Sequence, residues 1–305
     1  MKNIIIILIF LMSLTVLKLQ AQQDPLYSQY LFNVMVLNPA YAGLNENANI
    51  SFNSRLQWSG IEGSPTTNTL SANTSFSGGK SGVGLVMMID KLGINNNTEG
   101  HLVYAYHIKG RKSTLSFGLQ AGFISRKYDF DELNLRVSDD PYFSTTLEPK
   151  SKMNIGTGFL FTQENLMIGV SVPRILTNSF LDGTTDAGRY ERHYYMIGAY
   201  LIELKTELLF KPAVLVKNVP GAPLSIDLNA NFMYRNMYWG GIYTRNFQSY
   251  GLMGQVEFSD AYRFGYAFEI LSKGSSNIKA LSTHEFTLSI DMALFGDQAI
   301  YQRYF

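Results

Sequence analysis

Residues that could form a catalytic or metal-binding site are scattered along this 305-residue chain instead of gathering in a motif. Its four histidines, His101, His107, His193 and His284, show no metal-ligand spacing, and no nucleophile elbow, phosphate loop or paired-carboxylate motif stands out. The chain has no cysteine, which excludes disulfide scaffolds, thiol nucleophiles and cysteine-ligated metals. We therefore predict that the protein is not an enzyme and that it uses no catalytic residue, cofactor or metal. A surface enzyme with its catalytic groups at one rim is the alternative, although no motif supports it.

One acidic stretch could supply oxygen ligands: Asp129, Asp131, Glu132, Asp139 and Asp140. Carboxylate oxygens are the ligands that calcium prefers. A solvated acidic loop explains the same residues more simply, and calcium binding stays open at this stage.

The composition combines many apolar residues with few charges. Apolar residues make up 46% of the chain and charged residues 16%, with 19 Tyr, 20 Phe, 2 Trp and a net charge of +1. Soluble proteins usually carry about 25% charged residues, and a nucleic-acid binder would show a basic excess. The chain is also too apolar to be disordered. These numbers predict a folded protein with no nucleic-acid partner and much of its apolar surface away from water.

The first residues predict export. Residues 1–21 read as a signal peptide, with Lys2 before an apolar run over 4–12 and a cleavage site before Gln22. A transmembrane anchor is disfavoured because polar residues beginning at Ser13 interrupt the run well before the ~20 residues that a spanning helix needs. The remaining chain has no long apolar run, so we do not expect an inner-membrane protein.

Alternating apolar and polar residues dominate the rest of the chain. Between residues 262 and 270, for example, aromatic and aliphatic residues alternate with Arg263, Gly265, Ala267 and Glu269. Such alternation indicates β-strands with two different faces. The predicted strands cover residues 47–58, 66–76, 82–91, 98–108, 113–125, 151–161, 165–172, 192–201, 205–216, 223–233, 236–244, 248–257, 261–270 and 283–294. Many of these ladders have about ten residues, against a usual strand length of about 5–6.

The connections between these strands are asymmetric. Tight turns, including one predicted at Glu203-Leu204, fall at one end, and the long connections 126–150, 173–191 and 271–282 fall at the other. Outer-membrane barrels show short periplasmic turns and long outer loops. We therefore predict an all-β fold, a transmembrane antiparallel up-and-down β-barrel of about 14 strands, located in the outer membrane. A secreted β-sandwich is less favoured because it would need a second sheet to cover its aromatic faces.

The lumen of this barrel raises a second question, because fourteen strands enclose more space than wall side chains fill. We expect residues 22–46 to form an amino-terminal segment, 47–294 the barrel and 295–305 a periplasmic tail. The segment either lies inside the barrel as a plug or projects as a periplasmic docking peptide. Charges of both signs are predicted to face the lumen and to pair there: Arg55, Asp227, Arg263, Glu269, Glu285 and Asp291.

The stretch QQDPLYSQYLFNVMVLNPAYAG, Gln22 to Gly43, closely resembles the amino-terminal signature of the PorP/SprF family. That family comprises outer-membrane proteins of the type IX secretion and gliding systems of Bacteroidetes. The similarity continues through Trp58 and the GTGFLF stretch to the closing RYF. The resemblance makes the following signature residues candidates for docking: Asp24, Pro25, Tyr27, Gln29, Tyr30, Asn33, Asn38, Pro39, Tyr41 and Gly43.

The resemblance also implies a function and partners. Family members typically support the secretion or surface attachment of one large adhesin, whose C-terminal domain depends on the barrel. Others resemble core components that contact the translocon and the periplasmic ring. The resemblance therefore implies a non-catalytic barrel of the secretion and gliding machinery that anchors a cognate adhesin and sits in outer-membrane lipid. A porin-like or hydrophobic-solute transport barrel is the alternative, and the residues do not identify the adhesin.

Overall fold

A computed structural model describes residues 27–45, 47–129, 147–177, 191–259, 261–272 and 282–293 of the chain. The predicted signal peptide, the tail 295–305 and most of the acidic stretch lie outside these residues. The strands are β1 Ala48–Leu56, β2 Thr66–Phe76, β3 Ser81–Leu92, β4 Asn95–Lys109, β5 Ser113–Tyr128, β6 Leu147–Gln163, β7 Leu166–Val172, β8 Tyr194–Tyr200 continued by Ile202–Lys205, β9 Leu208–Asn218, β10 Ser225–Tyr234, β11 Tyr238–Arg245, β12 Ser249–Glu257, β13 Tyr262–Leu271 and β14 Ser282–Met292.

These strands form one closed antiparallel barrel of 14 strands. Each strand pairs with its neighbours in the sequence, and β1 pairs with β14 to close the ring, with Ala48 opposite Met292 and Leu56 opposite His284. Closure leaves no strand edge to satisfy, which a sheet in lipid requires. The predicted fold class, an all-β up-and-down barrel, is confirmed.

Two local features differ from the prediction. The turn expected at Glu203-Leu204 is wrong, because β8 resumes at Ile202–Lys205 after a break at Leu201 and turns at 206–207. At this break the Leu201 backbone N–H still donates to the carbonyl of Asn165, in the turn before β7, at 2.8 Å. Strands β4, β5 and β6 are also longer than predicted, at 15, 16 and 17 residues. Polar residues such as those that begin β4 extend the ladder without an apolar alternation to mark them.

The two faces of the wall have opposite chemistry. On β14, Phe286 and Leu288 point outward and are 40% and 50% exposed, whereas Glu285 and Thr287 point inward and are buried. A soluble protein would reverse this arrangement, but a wall in lipid exposes apolar side chains and buries polar ones. Among the described residues, no helix is long and apolar enough to cross a membrane.

Residues 27–45, which we call the lumen segment, lie inside the barrel. The segment folds into three short 3-10 helices, Tyr30–Phe32, Val34–Val36 and Pro39–Tyr41. The Asn38 side chain caps the third helix by accepting a hydrogen bond from the Ala40 backbone N–H at 3.0 Å. Most apolar side chains of the lumen segment are buried in one cluster with inward-facing wall residues, including Val86, Val103, Leu160, Met167 and Ile197. The segment therefore occupies space that the wall side chains leave open.

Candidate functional site

The lumen segment runs along the barrel from the end with the long loops (the long-loop end) to the end with the tight turns (the short-turn end). Gly43 lies at the short-turn end, where its backbone N–H donates to Asn73 Oδ1 at 3.1 Å. Tyr27 lies farther along the axis, where its hydroxyl is 2.6 Å from Thr69 Oγ1 and donates to Met88 Sδ at 2.9 Å. The segment thus contacts the wall along much of the barrel's length.

At the long-loop end, the segment is held by a group of charges that we call the charged latch: Arg55, Glu269 and Glu285. The carboxylate of Glu285 accepts two backbone hydrogen bonds, from Ser28 at 2.7 Å and from Gln29 at 3.0 Å. The Gln29 amide also donates to the Glu285 backbone carbonyl at 3.0 Å. One wall residue therefore fixes both the backbone and a side chain of the segment.

Arg55 joins the two carboxylates of the latch to the lumen segment. Its guanidinium donates to Ser28 Oγ at 2.6 Å, to Glu285 Oε2 at 2.9 Å and to Glu269 Oε2 at 3.1 Å. All three charged side chains are buried. Buried charges are tolerated when they are paired and hydrogen-bonded, and removing one partner leaves an uncompensated charge. Removing any one of the three charged side chains of the latch would therefore leave a buried charge without its partner.

The latch extends across the lumen through Arg245. The Arg245 guanidinium donates to Asp227 Oδ2 at 2.9 Å and to Glu269 Oε1 at 3.4 Å. The Tyr243 hydroxyl donates to Glu269 Oε2 at 3.3 Å. The sequence prediction missed Arg245 because it is the last residue of β11, where a turn follows and alternation no longer indicates the face. The register could have located the Arg55–Glu285 pair, since the two residues stand opposite each other on β1 and β14.

At the short-turn end, the wall meets the segment at three glycines that we call the glycine cradle: Gly82, Gly118 and Gly158. A Cβ atom at Gly118 would lie 2.1 Å from the Ala40 backbone nitrogen, and one at Gly82 would lie 1.9 Å from the Ala42 carbonyl oxygen. At Gly158 it would lie 2.0 Å from Asn38 Oδ1. Real Cβ atoms essentially never approach so closely, so Gly82 and Gly118, which face backbone atoms, require glycine for the segment to fit, whereas at Gly158 the close neighbour is a side chain.

Hydrogen bonds between the wall and residues 37–42 also hold the lumen segment at the short-turn end. The Asn38 side-chain amide donates to the Phe159 carbonyl at 3.0 Å, and Ser171 Oγ donates to the Leu37 carbonyl at 2.7 Å. His107 lies with Nε2 3.0 Å from the Ala42 carbonyl oxygen and Nδ1 2.7 Å from Ser116 Oγ. Because a carbonyl only accepts, His107 must donate from Nε2.

The remaining predicted residues take the following places. Asn33 donates to Ser71 Oγ at 2.9 Å, and the hydroxyls of Tyr30 and Tyr41 accept from Asn229 and Asn45, both at 2.8 Å. Pro39 is buried in the third helix. Asp24 and Pro25 lie outside the described residues.

The six predicted lumen charges all face inward, but they form two groups. Arg55, Glu269, Glu285 and Asp227 belong to the latch and its extension. Arg263 pairs with Asp291 at the opposite end of the barrel, where Asp291 also accepts from Asn49 at 2.9 Å. This second pair does not contact the latch.

A further buried cluster faces the lumen from β4. Glu99 Oε2 accepts from Arg174 Nε at 2.9 Å and Nη2 at 2.8 Å, and lies 3.1 Å from His101 Nε2. The prediction did not include this cluster, since Arg174 falls in a connection where the sequence carries no periodic signal. Within the described ranges, no three histidine or acidic side chains are placed to hold a metal ion. Of the acidic stretch, Asp129 is described, and it pairs with Lys127.

A cavity of about 770 Å³ opens at the long-loop end beside the latch. Its lining combines charged residues, including Lys217, Arg245 and Glu269, with the aromatic rings of Trp58 and Phe247. The whole arrangement is suited to holding a segment in place and offering a small mixed surface at the long-loop end. It contains no arrangement of nucleophile and base that we recognise among these residues.

Comparisons with known proteins agree with the barrel. A search of curated proteins finds no match. Among solved structures, the chain is similar to a TodX deletion mutant described as a monoaromatic hydrocarbon channel, with TM-score 0.50, 9% identity, and coverage of 85% of this chain and 92% of that one. It is also similar to Omp33 of Acinetobacter baumannii, with TM-score 0.48, 9% identity, and coverage of 82% and 100%. At such identities the likeness concerns the fold alone.

The family comparison is more specific. A family model described as "Type IX secretion system membrane protein PorP/SprF" matches residues 19–290. The match includes the lumen segment and almost the whole barrel, and it confirms the resemblance seen in the sequence. The protein is an outer-membrane β-barrel. With this coverage, the chain belongs to the PorP/SprF family of type IX secretion system membrane proteins.

Proposed function

We propose that this barrel supports the secretion and surface anchoring of a cognate adhesin by holding the adhesin's C-terminal domain, and that it performs no catalysis. The single observation that carries the proposal is the family match over residues 19–290. The type IX translocon and periplasmic ring components are the expected partners in the envelope, in keeping with the role of the family in secretion and gliding.

The filled lumen supports a holding role over transport. The lumen segment has buried side chains along its length, including Tyr30, Val34, Met35 and Ala40. It is fixed at one end by the charged latch and at the other by the glycine cradle. A solute channel needs a continuous free path, whereas an anchor needs a rigid barrel with a stable outer surface. A segment packed in the lumen in this way suits an anchor better than a channel.

The cavity at the long-loop end gives the adhesin a place to contact the barrel. Its volume of about 770 Å³ lies within the range of ~300–1,000 Å³ that ligand pockets occupy. Charges of both signs and two aromatic rings suit a short peptide better than a small apolar solute. A loop or terminal stretch of the C-terminal domain has this chemistry.

A deletion experiment tests the proposal. The gene is removed from the native host while the translocon genes stay intact, and surface adhesins are quantified by labelling whole cells. One large adhesin should disappear from the surface and return on complementation, while other type IX substrates are still secreted. An unchanged set of attached surface proteins would overturn the proposal.

The alternative function is porin-like or hydrophobic-solute transport. It is suggested by the fold shared with a protein described as a monoaromatic hydrocarbon channel. Planar-bilayer recordings of the purified full chain distinguish the two functions. Anchoring predicts a closed barrel without stable conductance, and steady ion conductance by the native chain would favour transport.

A further inference from the structure

The short-turn end of the barrel carries its charges unevenly. Four cations lie at the end of β4 and on the two adjacent turns that follow β2 and β4, and we call them the basic rim: Lys80, Lys109, Arg111 and Lys112. Among the described turn residues from β2 to β7, the acidic residue is Glu164. The turns and adjoining strand residues from β8 to β13 instead mix both signs, with Glu203, Lys205, Glu207, Arg235 and Glu257. The rim is therefore cationic on one side of the barrel.

Contacts within the basic rim hold its cations together. Lys109 Nζ donates to the Gly78 carbonyl at 3.3 Å, which ties the second turn to the first. Lys112 Nζ lies 2.7 Å from Glu164 Oε1, and both side chains are largely exposed. The hydrogen bond that Lys112 donates to Glu164 raises the pKa of Lys112 above its usual range. Lys80 and Arg111 are exposed at the surface.

The depth of the basic rim follows from the strands that bear it. Ile108 and Leu115 are opposite each other on β4 and β5, and both point outward with exposed side chains. They stand immediately beside the turn at residues 110–112. Tyr104 and Tyr106, also outward and exposed, lie on the same strand, farther from the turn than Ile108. Aromatic residues of this kind mark the level of the membrane interface.

From this geometry we propose that the basic rim binds the phosphates of anionic phospholipid headgroups in the leaflet at the short-turn end. The cations sit directly at the edge of the lipid-facing apolar band, where the headgroup phosphates of that leaflet lie. Lysine and arginine side chains keep their stems on apolar surface while their charges reach the phosphates. Clustered cations next to a membrane are the recognised signature of attraction to anionic lipid.

The shape of the rim favours lipid over a protein partner. The turn that carries Arg111 and Lys112 has three residues, 110–112, between β4 and β5. A turn this short holds its cations at the membrane surface instead of extending them toward a partner in the periplasm. Binding anionic lipid on one side would also fix the rotation of the barrel relative to neighbouring envelope proteins.

The test compares two matched double variants of the purified full chain. Lys80→Gln with Arg111→Gln removes two cations from the basic rim, and Lys205→Gln with Arg235→Gln removes two from the opposite side. Each protein is titrated with phosphatidylglycerol or phosphatidylcholine in detergent micelles, and the thermal unfolding midpoint is followed. We expect phosphatidylglycerol to raise the midpoint of the native chain and the Lys205/Arg235 variant. The Lys80/Arg111 variant should lose more than half of that increase.

Salt provides a second readout. At about 1 M ionic strength, where the Debye length falls to ~3 Å, the advantage of phosphatidylglycerol over phosphatidylcholine should disappear for the native chain. Equal phosphatidylglycerol effects in the two double variants would overturn the proposal. So would unchanged lipid binding combined with loss of a co-purifying periplasmic protein in the Lys80/Arg111 variant, since this would assign the rim to a protein partner.

Discussion

The two ends of the lumen segment are held by different physical means. At the long-loop end, the charged latch grips the backbone of Ser28 and Gln29 through Glu285. At the short-turn end, the glycine cradle lets the backbone of Pro39 and Ala40 lie against Gly118 of the wall. The latch depends on a balance of buried charges, and the cradle depends on shape. Long side chains can adjust to small displacements, but a backbone packed on glycine cannot.

This difference explains why one segment needs both. Ion pairs alone would fix the segment at one point and leave the rest to move within a wide lumen. Close packing alone would give little directional preference at the long-loop end. Together they hold the segment at two separated points, and the hydrophobic cluster between those points fills the lumen. Substitutions at each end should therefore have effects of different size and kind.

The largest effect is expected from Glu285→Gln in the charged latch. The amide keeps the shape of the carboxylate but replaces one acceptor oxygen with a donor that faces Arg55 and the backbone N–H groups. Breaking a buried ion pair in this way costs about 3–5 kcal/mol. We expect a lower thermal unfolding midpoint in detergent and, because the segment loosens, new channel openings in planar bilayers. A thermal unfolding midpoint equal to that of the native chain, together with no channel openings in planar bilayers, would show that the latch does not hold the segment.

Gly118→Ala should have the next largest effect. The new methyl group would clash with the backbone of Pro39 and Ala40, and overpacking of this kind costs about 1–3 kcal/mol. Gly240→Ala is the matched control, because a Cβ there meets no atom within 4 Å. The unfolding midpoint should fall for Gly118→Ala and stay near native for Gly240→Ala. Equal midpoints would contradict the cradle.

A smaller effect is expected from His107→Phe. Phenylalanine fills a similar volume but cannot donate to the Ala42 carbonyl, which stays buried without this bond. The expected cost is roughly 1 kcal/mol. Limited proteolysis of the folded barrel should cut near the short-turn end faster than in the native chain, while the latch end stays protected. Unchanged cleavage would mean that glycine packing alone holds this end.

The smallest effect is expected from Arg235→Gln on the outside of the same end. Arg235 pairs with Glu207 at 3.0 Å, but the two side chains are 60% and 55% exposed. Water screens such pairs, so they contribute little to stability. The unfolding midpoint should not change measurably. A drop comparable to that of Glu285→Gln would break the distinction between buried and exposed pairs.

Much of the wall was predictable because its signal is local. Phe264, Phe268 and Glu269 alternate along β13 in the sequence as they do in the barrel. The inward placement of the predicted lumen charges follows from the same alternation. The turn at 206–207 was not predictable, because its position depends on the pairing of Ile202–Lys205 with β9, where the register shifts between Leu208 and Leu209.

The latch and the cradle were only partly predictable. Arg55, Glu269 and Glu285 were found as charges on inward faces, but Arg245 lies beside a turn and carried no signal. The cradle glycines look like ordinary strand glycines in the sequence. Their role depends on which backbone passes against them, and that backbone comes from a distant part of the chain.

A wall with two chemically different faces could be predicted from the chain alone, because alternation is set residue by residue within each strand. The sequence also carried the amino-terminal signature that marks the family. The tertiary structure alone decided that residues 27–45 lie inside the wall and which residues hold them there. Ser28 meets Glu285 across 257 positions of sequence, and a contact of that separation exists only after the barrel has closed around the segment.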